Sequence, residues 1–152
     1  MERPQLAVVS EDALQALTGA VWRSLAGLET RPAAADADVE GALTAMVHFT
    51  GEWEGVLILD VTPGLARQAM ARMTGASQDE LPEEELYDMV AEVSNILSAS
   101  LLPRLPRPCE TSHPRVERLL DDRRRTAAGE PVAQVRMACE GHALRVTLLK
   151  RR

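Results

Sequence analysis

The sequence predicts an α+β domain of two layers: an antiparallel β-sheet built from hairpins, with long α-helices packed on it. Two observations carry this. Two β-like segments each fold back through a short Gly-bearing turn, and the helical segments around them leave few places for the right-handed crossovers of a parallel sheet. The 152 residues, 45% apolar and 26% charged, suit one domain over residues 1–152, with a core that removes roughly 70% of the unfolded surface from water.

Ser10 is placed to cap a helix whose first turn carries Glu11 and Asp12, and Leu14, Leu17, Val21, Leu25 and Leu28 recur at helical spacing, so residues 11–28 read as one amphipathic helix. Arg31 to Asp38, rich in Pro, Ala and Asp, has no period and reads as a connection. From Val39 to Thr50 the pattern turns β-like, with Leu43, Ala45, Val47 and Phe49 alternating against Thr44, Met46 and His48. Gly51 to Gly55 makes the turn, and Val56 to Val61 returns as a buried strand. Trp53 in that turn reads equally as a packed aromatic and as a partner contact.

Thr62-Pro63 sets an N-cap with Pro at the first helical position, and Leu65, Ala66, Ala69, Met70 and Met73 line one face until Gly75. The longest helix opens after Leu81-Pro82, with Glu83 to Glu85 at the positive end of its dipole, and runs to about Leu102 before Pro103 stops it. Cys109 to His113 reads as a short strand. Pro131 to Cys139, turned by Glu140-Gly141 and continued from His142 to Leu149, reads as a second hairpin that closes the fold.

Charge and motifs exclude several functions. A net charge of −6 argues against a nucleic-acid backbone as the main ligand, and the basic run Arg123-Arg124-Arg125 follows Asp121-Asp122 and reads as a solvated loop. No apolar run approaches the roughly 20 residues of a bilayer span, and no secretion signal is legible, so a cytoplasmic location without membrane attachment is expected. Cys109 and Cys139 lie outside any CxxC spacing and read as reduced, strand-buried thiols. His48, His113 and His142 show no ligand spacing, so no metal site is expected. Ser94, Ser98 and Ser100 lie on a helix without a nucleophile elbow, and no phosphate-binding loop or dinucleotide fingerprint is present.

The chain holds sixteen Arg against one Lys, Lys150, and a single Asn, Asn95. On a helical wheel with Leu86 at zero, Val90, Val93, Leu97 and Leu101 fall within about 60°, with Met89 and Ile96 at the edge of that arc. Asp88, Glu92, Asn95 and Ala99 fall between about 180° and 240°, on one outward strip. Asn is a poor mid-helix residue, and Asp88 and Glu92 are like charges at i and i+4, which costs a few tenths of a kcal/mol. Neither cost has a local structural return, so the strip reads as a docking face carrying an acid and an amide, with Ala99 a flat spot for close approach. A bare Glu-x-x-Asn arises by chance in about one chain of this length in three, so the spacing alone is not specific.

The signature Asp88-x-x-x-Glu92-x-x-Asn95 resembles the active-site motif of the CheC/CheX/FliY family of chemotaxis phosphatases: Asp or Ser, three residues, Glu, two residues, Asn. The hairpin around Val47-His48-Phe49-Thr50-Gly51, the helix from Leu65 to Met73 and the stretch Val93-Ser94-Asn95-Ile96 are similar to the corresponding stretches of that family. The resemblance covers Val39 to Pro114 well and the last hairpin loosely. This chain departs from the pattern in carrying Ala99 where the family usually has Gly, and Pro114 is the candidate for its downstream Pro. The first helix has no matching pair, since Glu11 is followed three residues later by Leu14, so the chain resembles a single-site, CheX-like member.

The resemblance implies hydrolysis of the aspartyl phosphate on a CheY-like receiver domain of a response regulator, in chemotaxis or a related two-component pathway. Glu92 and Asn95 would be the catalytic pair, with Asn95 orienting water and Glu92 pairing with a Lys of the receiver. Asp88 and Ala99 would belong to the partner-binding surface, Asp88 reading equally as a solvated acid. Mg²⁺ would sit in the receiver, leaving this chain without a cofactor or metal of its own, and a homodimer is one implied assembly. The acids from Asp79 to Glu85 would steer a basic partner patch, although a helix-dipole role accounts for Glu83 to Glu85. A second reading is a non-catalytic adaptor that binds a receiver through the same helix face. A third is a structural module whose Glu and Asn are only surface.

Overall fold

Ser10 opens the first helix as its sequence demands: its Oγ accepts the backbone N–H of Ala13 at 3.1 Å, satisfying one of the orphan donors of the first turn. The computed structural model describes residues 9–34, 38–118, 125 and 127–152. Helix α1 (Glu11–Ala26) ends two residues earlier than its periodicity suggests, because Gly27 adopts the left-handed conformation and its N–H closes on the Arg23 carbonyl. Leu14, Val21 and Trp22 are buried, whereas Leu17 and Leu25 are only partly covered.

Seven strands are described: β1 (Arg31–Pro32), β2 (Leu43–Gly51), β3 (Gly55–Val61), β4 (Cys109–Thr111), β5 (Arg115–Arg118), β6 (Glu130–Cys139) and β7 (His142–Lys150). Their order is β1-β6-β7-β3-β2-β4, with β5 also pairing β2. All described pairings are antiparallel. Helices α2 (Pro63–Thr74) and α3 (Glu83–Leu101) complete the helical layer. The α+β antiparallel architecture is thus the observed one. Both hairpins, β2–β3 and β6–β7, form where the alternation placed them.

Alternation divides the sheet into two faces. Leu43, Ala45, Val47, Leu57, Leu59, Val61, Leu144, Val146 and Leu148 share one buried cluster with the helices. Val56, Ile58 and Leu149 form a separate small cluster on the other face. Trp53 is buried in the first cluster and meets Phe49 edge-on, with ring centroids 5.7 Å apart. It is a packed aromatic rather than a partner contact.

The structure corrects four local readings. The connection after α1 contains the two-residue strand β1, which pairs Arg31 with Ala138 and Pro32 with Met137; an edge pair this short leaves no period in sequence. Strand β5 was not legible either, since four residues with three charges among them lack an alternating signal. Met73, expected on the inner face of α2, is 38% exposed, in the last turn of the helix where Arg72 and Thr74 are exposed as well. Of the run expected to be a solvated loop, Arg123 and Arg124 lie outside the described residues, but Arg125 turns inward and pairs with the fully buried Asp60.

Candidate functional site

Helix α3 is held along its inner face. Leu86, Met89, Val90, Val93, Leu97 and Leu101 are buried, each such side chain contributing about 1.5–3 kcal/mol. Ser94 and Ser98 are also buried and donate their hydroxyls back to the Ala91 and Asn95 carbonyls at 2.8 and 3.0 Å. Both serines are inward and hydrogen-bonded within the helix, which gives neither the geometry of a nucleophile. The start of α3 is tied down twice. Arg67 of α2 donates to the Leu81 carbonyl at 3.0 Å, and Glu83 forms an ion pair with Arg118 of β5.

That burial decides where the remaining side chains point. Asp88, Glu92, Asn95 and Ala99 are all exposed, on the side of α3 away from the core. Among the described residues, none of the three polar side chains has a hydrogen bond or ion pair. Glu92 and Asn95, three residues apart, have Cβ atoms about 5–6 Å apart, so a carboxylate and a carboxamide face solvent side by side. The strip expected from the wheel exists, and its members are brought together. Glu83, expected to suit the helix dipole or to help steer a basic partner patch, also pairs with Arg118 of β5; nothing in the sequence around Arg118 marked that pairing.

An exposed pair of this kind offers a carboxylate that takes a cation and a carboxamide that both accepts and donates hydrogen bonds. It offers no base beyond the carboxylate.

The thiols lie elsewhere. Cys139 on β6 is buried and Cys109 at the start of β4 is partly buried, less covered than expected; both are free. Burial pushes both thiols above their ordinary range. Cys109 donates to the Trp53 carbonyl at 3.4 Å. Among the described residues, no group of three or more His, Cys, Asp or Glu side chains is arranged to hold a metal ion, and no helix is long and apolar enough to cross a membrane.

Comparison with known proteins bears on the family and the fold. Residues 43–136 match the family model described as chemotaxis phosphatase CheX, a span that contains both hairpin strands β2 and β3, all of α2 and α3, and most of β6. No curated protein matches the chain in sequence. Among solved structures, the chemotaxis protein CheX from Vibrio vulnificus superposes with a TM-score of 0.78 at 18% identity, covering 99% of this chain and 100% of that one. The CheX–CheY–BeF3–Mg²⁺ complex from Borrelia burgdorferi gives 0.66 at 17% identity, covering 91% and 96%. FliY from Thermotoga maritima gives 0.61 at 16% identity, covering 99% and 92%. At these identities the structures speak for the fold, and the family model speaks for the lineage: with more than half of its length matched, the chain belongs to the CheX family.

Proposed function

We propose that this protein accelerates hydrolysis of the aspartyl phosphate on a CheY-like receiver domain, using Glu92 and Asn95 as its working pair. The observation that carries the reading is the exposed acid–amide pair on the outer face of α3, without a side-chain partner among the described residues, in a chain of the CheX family. The Borrelia relative, which was crystallised with CheY, BeF3 and Mg²⁺, supports a receiver as the kind of partner.

Phosphoryl transfer asks a protein chiefly for positioning and for charges around the in-line oxygens. A carboxamide suits the first task. Asn95 does not take up a proton near neutral pH, but its oxygen accepts from a water while its NH₂ donates to a phosphoryl oxygen, which fixes that water in line with phosphorus. Glu92, one turn back on the same face, accepts a charge-assisted hydrogen bond from a Lys of the receiver and so sets the docking register. Asp88 and Ala99 flank the pair on the surface the receiver would cover, Ala99 leaving the helix backbone open to close approach. The divalent ion belongs to the receiver's acidic pocket in this reading, and this chain contributes no ligand to it.

The test is phosphate release from a phosphorylated receiver with and without the protein. Acceleration that disappears in Asn95→Ala, with receiver binding retained, supports the reading. Binding without acceleration in the native chain overturns it in favour of an adaptor that uses the same helix face.

A further inference from the structure

The outward strip of α3 does not end at Ala99. Carrying the wheel one turn further places Leu102 and Pro103 at about 160° and 260°, on either side of the strip. Pro103 then stops the helix in a single 3₁₀ turn, Leu102–Arg104. Leu105 turns inward and is buried, its N–H on the Leu102 carbonyl at 3.1 Å. Pro106, Arg107 and Pro108 run back outward, all exposed, and Cys109 opens β4 against Gly51 of β2.

This reversal leaves a groove of about 660 Å³ between the end of α3 and the start of β4, lined among the described residues by Leu102, Pro103, Arg107, Pro108, Cys109 and Glu110. Leu102 and Cys109 are partly buried and packed on the main core, so both are braced from behind. The far wall is tied to the first hairpin. The Pro108 carbonyl accepts the Glu52 N–H at 2.8 Å, and the Cys109 thiol donates to the Trp53 carbonyl at 3.4 Å. A Cβ on Gly51 would stand 2.3 Å from the Pro108 carbonyl oxygen, which shows how closely the two backbones meet. The walls are therefore held without a partner, and a side chain entering between them loses little affinity to ordering them.

Position and composition decide the occupant. The strip alone is poor in binding energy: Asp88, Glu92 and Asn95 are exposed, water screens exposed ion pairs until little net affinity is left, and Ala99 offers one methyl group. Interfaces draw most of their affinity from a few side chains, often aromatic, seated in desolvated pockets. The groove begins seven residues, about 10 Å, beyond Asn95 along the helix axis. A standard interface covers roughly 800 Å² on each partner, a disc of about 16 Å radius, so a partner centred on Asn95 covers the groove too. We infer that this groove is the anchor site for the receiver, taking one apolar or aromatic side chain of the receiver surface between Leu102, Pro103 and Pro108. The inference rests on the receiver-directed reading of α3 and deepens it: Glu92 and Asn95 give register and chemistry, and the groove gives affinity.

The test uses the full chain and a CheY-like receiver domain held active with beryllofluoride and Mg²⁺. Calorimetry reads the Kd, and mass-resolved labelling reads the alkylation rate of Cys109, with the buried Cys139 as internal control. Leu102→Ala is expected to weaken binding about tenfold. Bound receiver is expected to slow alkylation of Cys109 in the native protein by about tenfold or more and to leave Cys139 unchanged. Asn95→Ala, which keeps the groove, is expected to show the same protection of Cys109 while losing acceleration of phosphate release. Protection needs no change in the groove, so it decides the matter should Leu102→Ala lose its fold. A Cys109 rate unaffected by bound receiver, or a folded Leu102→Ala that binds as tightly as the native protein, overturns the inference and leaves the phosphatase reading standing. A native protein that binds no such receiver overturns both.

Discussion

Thr44 and Asp60 face each other across β2 and β3, and the hydroxyl of the first donates to the buried carboxylate of the second at 2.6 Å. This pair is the floor on which Arg125 and Arg145 are held, so it links the middle of the sheet to a residue from the segment between β5 and β6. Removing the carboxylate would strand two guanidinium groups that cannot neutralise. Asp60→Ala is therefore expected to cost about 3–5 kcal/mol, read as a lowered midpoint in urea unfolding. A loss under about 1 kcal/mol would mean the two arginines find water instead.

Close packing at the base of the first hairpin gives a sharper steric prediction. A Cβ on Gly55 would stand 2.2 Å from the Leu149 carbonyl and 2.5 Å from the Trp53 ring. Neither the backbone of β7 nor a ring pinned against Phe49 gives way easily. Gly55→Ala is expected to destabilise by about 1–3 kcal/mol, seen in thermal melts, with the Trp53 fluorescence altered even in the folded state.

At the other end of the chain, Ser10→Ala removes the acceptor for the Ala13 N–H and is expected to cost about 1 kcal/mol. Ser10→Asp should restore most of it, which separates capping from a general effect of substitution. Equilibrium denaturation of the three proteins side by side checks this.

Thiol chemistry should follow burial. Because burial raises both thiols, the folded protein keeps their protons to higher pH than the unfolded chain does. The associated stability is intact below the unfolded thiol range and is lost as pH climbs through the raised folded values. Alkylation at pH 8 should be slow at Cys109, slower still at Cys139, and fast at both in denaturant; mass-resolved labelling over time reads the order.

The long helix was legible because its signal is redundant. Six inward apolar residues agree with one wheel, and a lone Asn against that pattern has nowhere to point but outward. The hairpins were legible for a similar reason, alternation of nine or ten residues with Gly at the turns. What escaped was set by partners remote in sequence. Arg31–Pro32 is a strand only because β6 offers it an edge, and Arg115–Arg118 only because β2 does. Arg125 reads as one of three equivalent cations until the fold brings Asp60 to it, 65 residues away.

The most direct test of the central claim is a single-turnover measurement of phosphate loss from a phosphorylated receiver domain, comparing the native protein with Asn95→Ala and Glu92→Ala. The account predicts that Asn95→Ala loses acceleration by about a hundredfold while still binding the receiver, and that Glu92→Ala loses binding as well. Equal acceleration by native protein and a folded Asn95→Ala variant would contradict it.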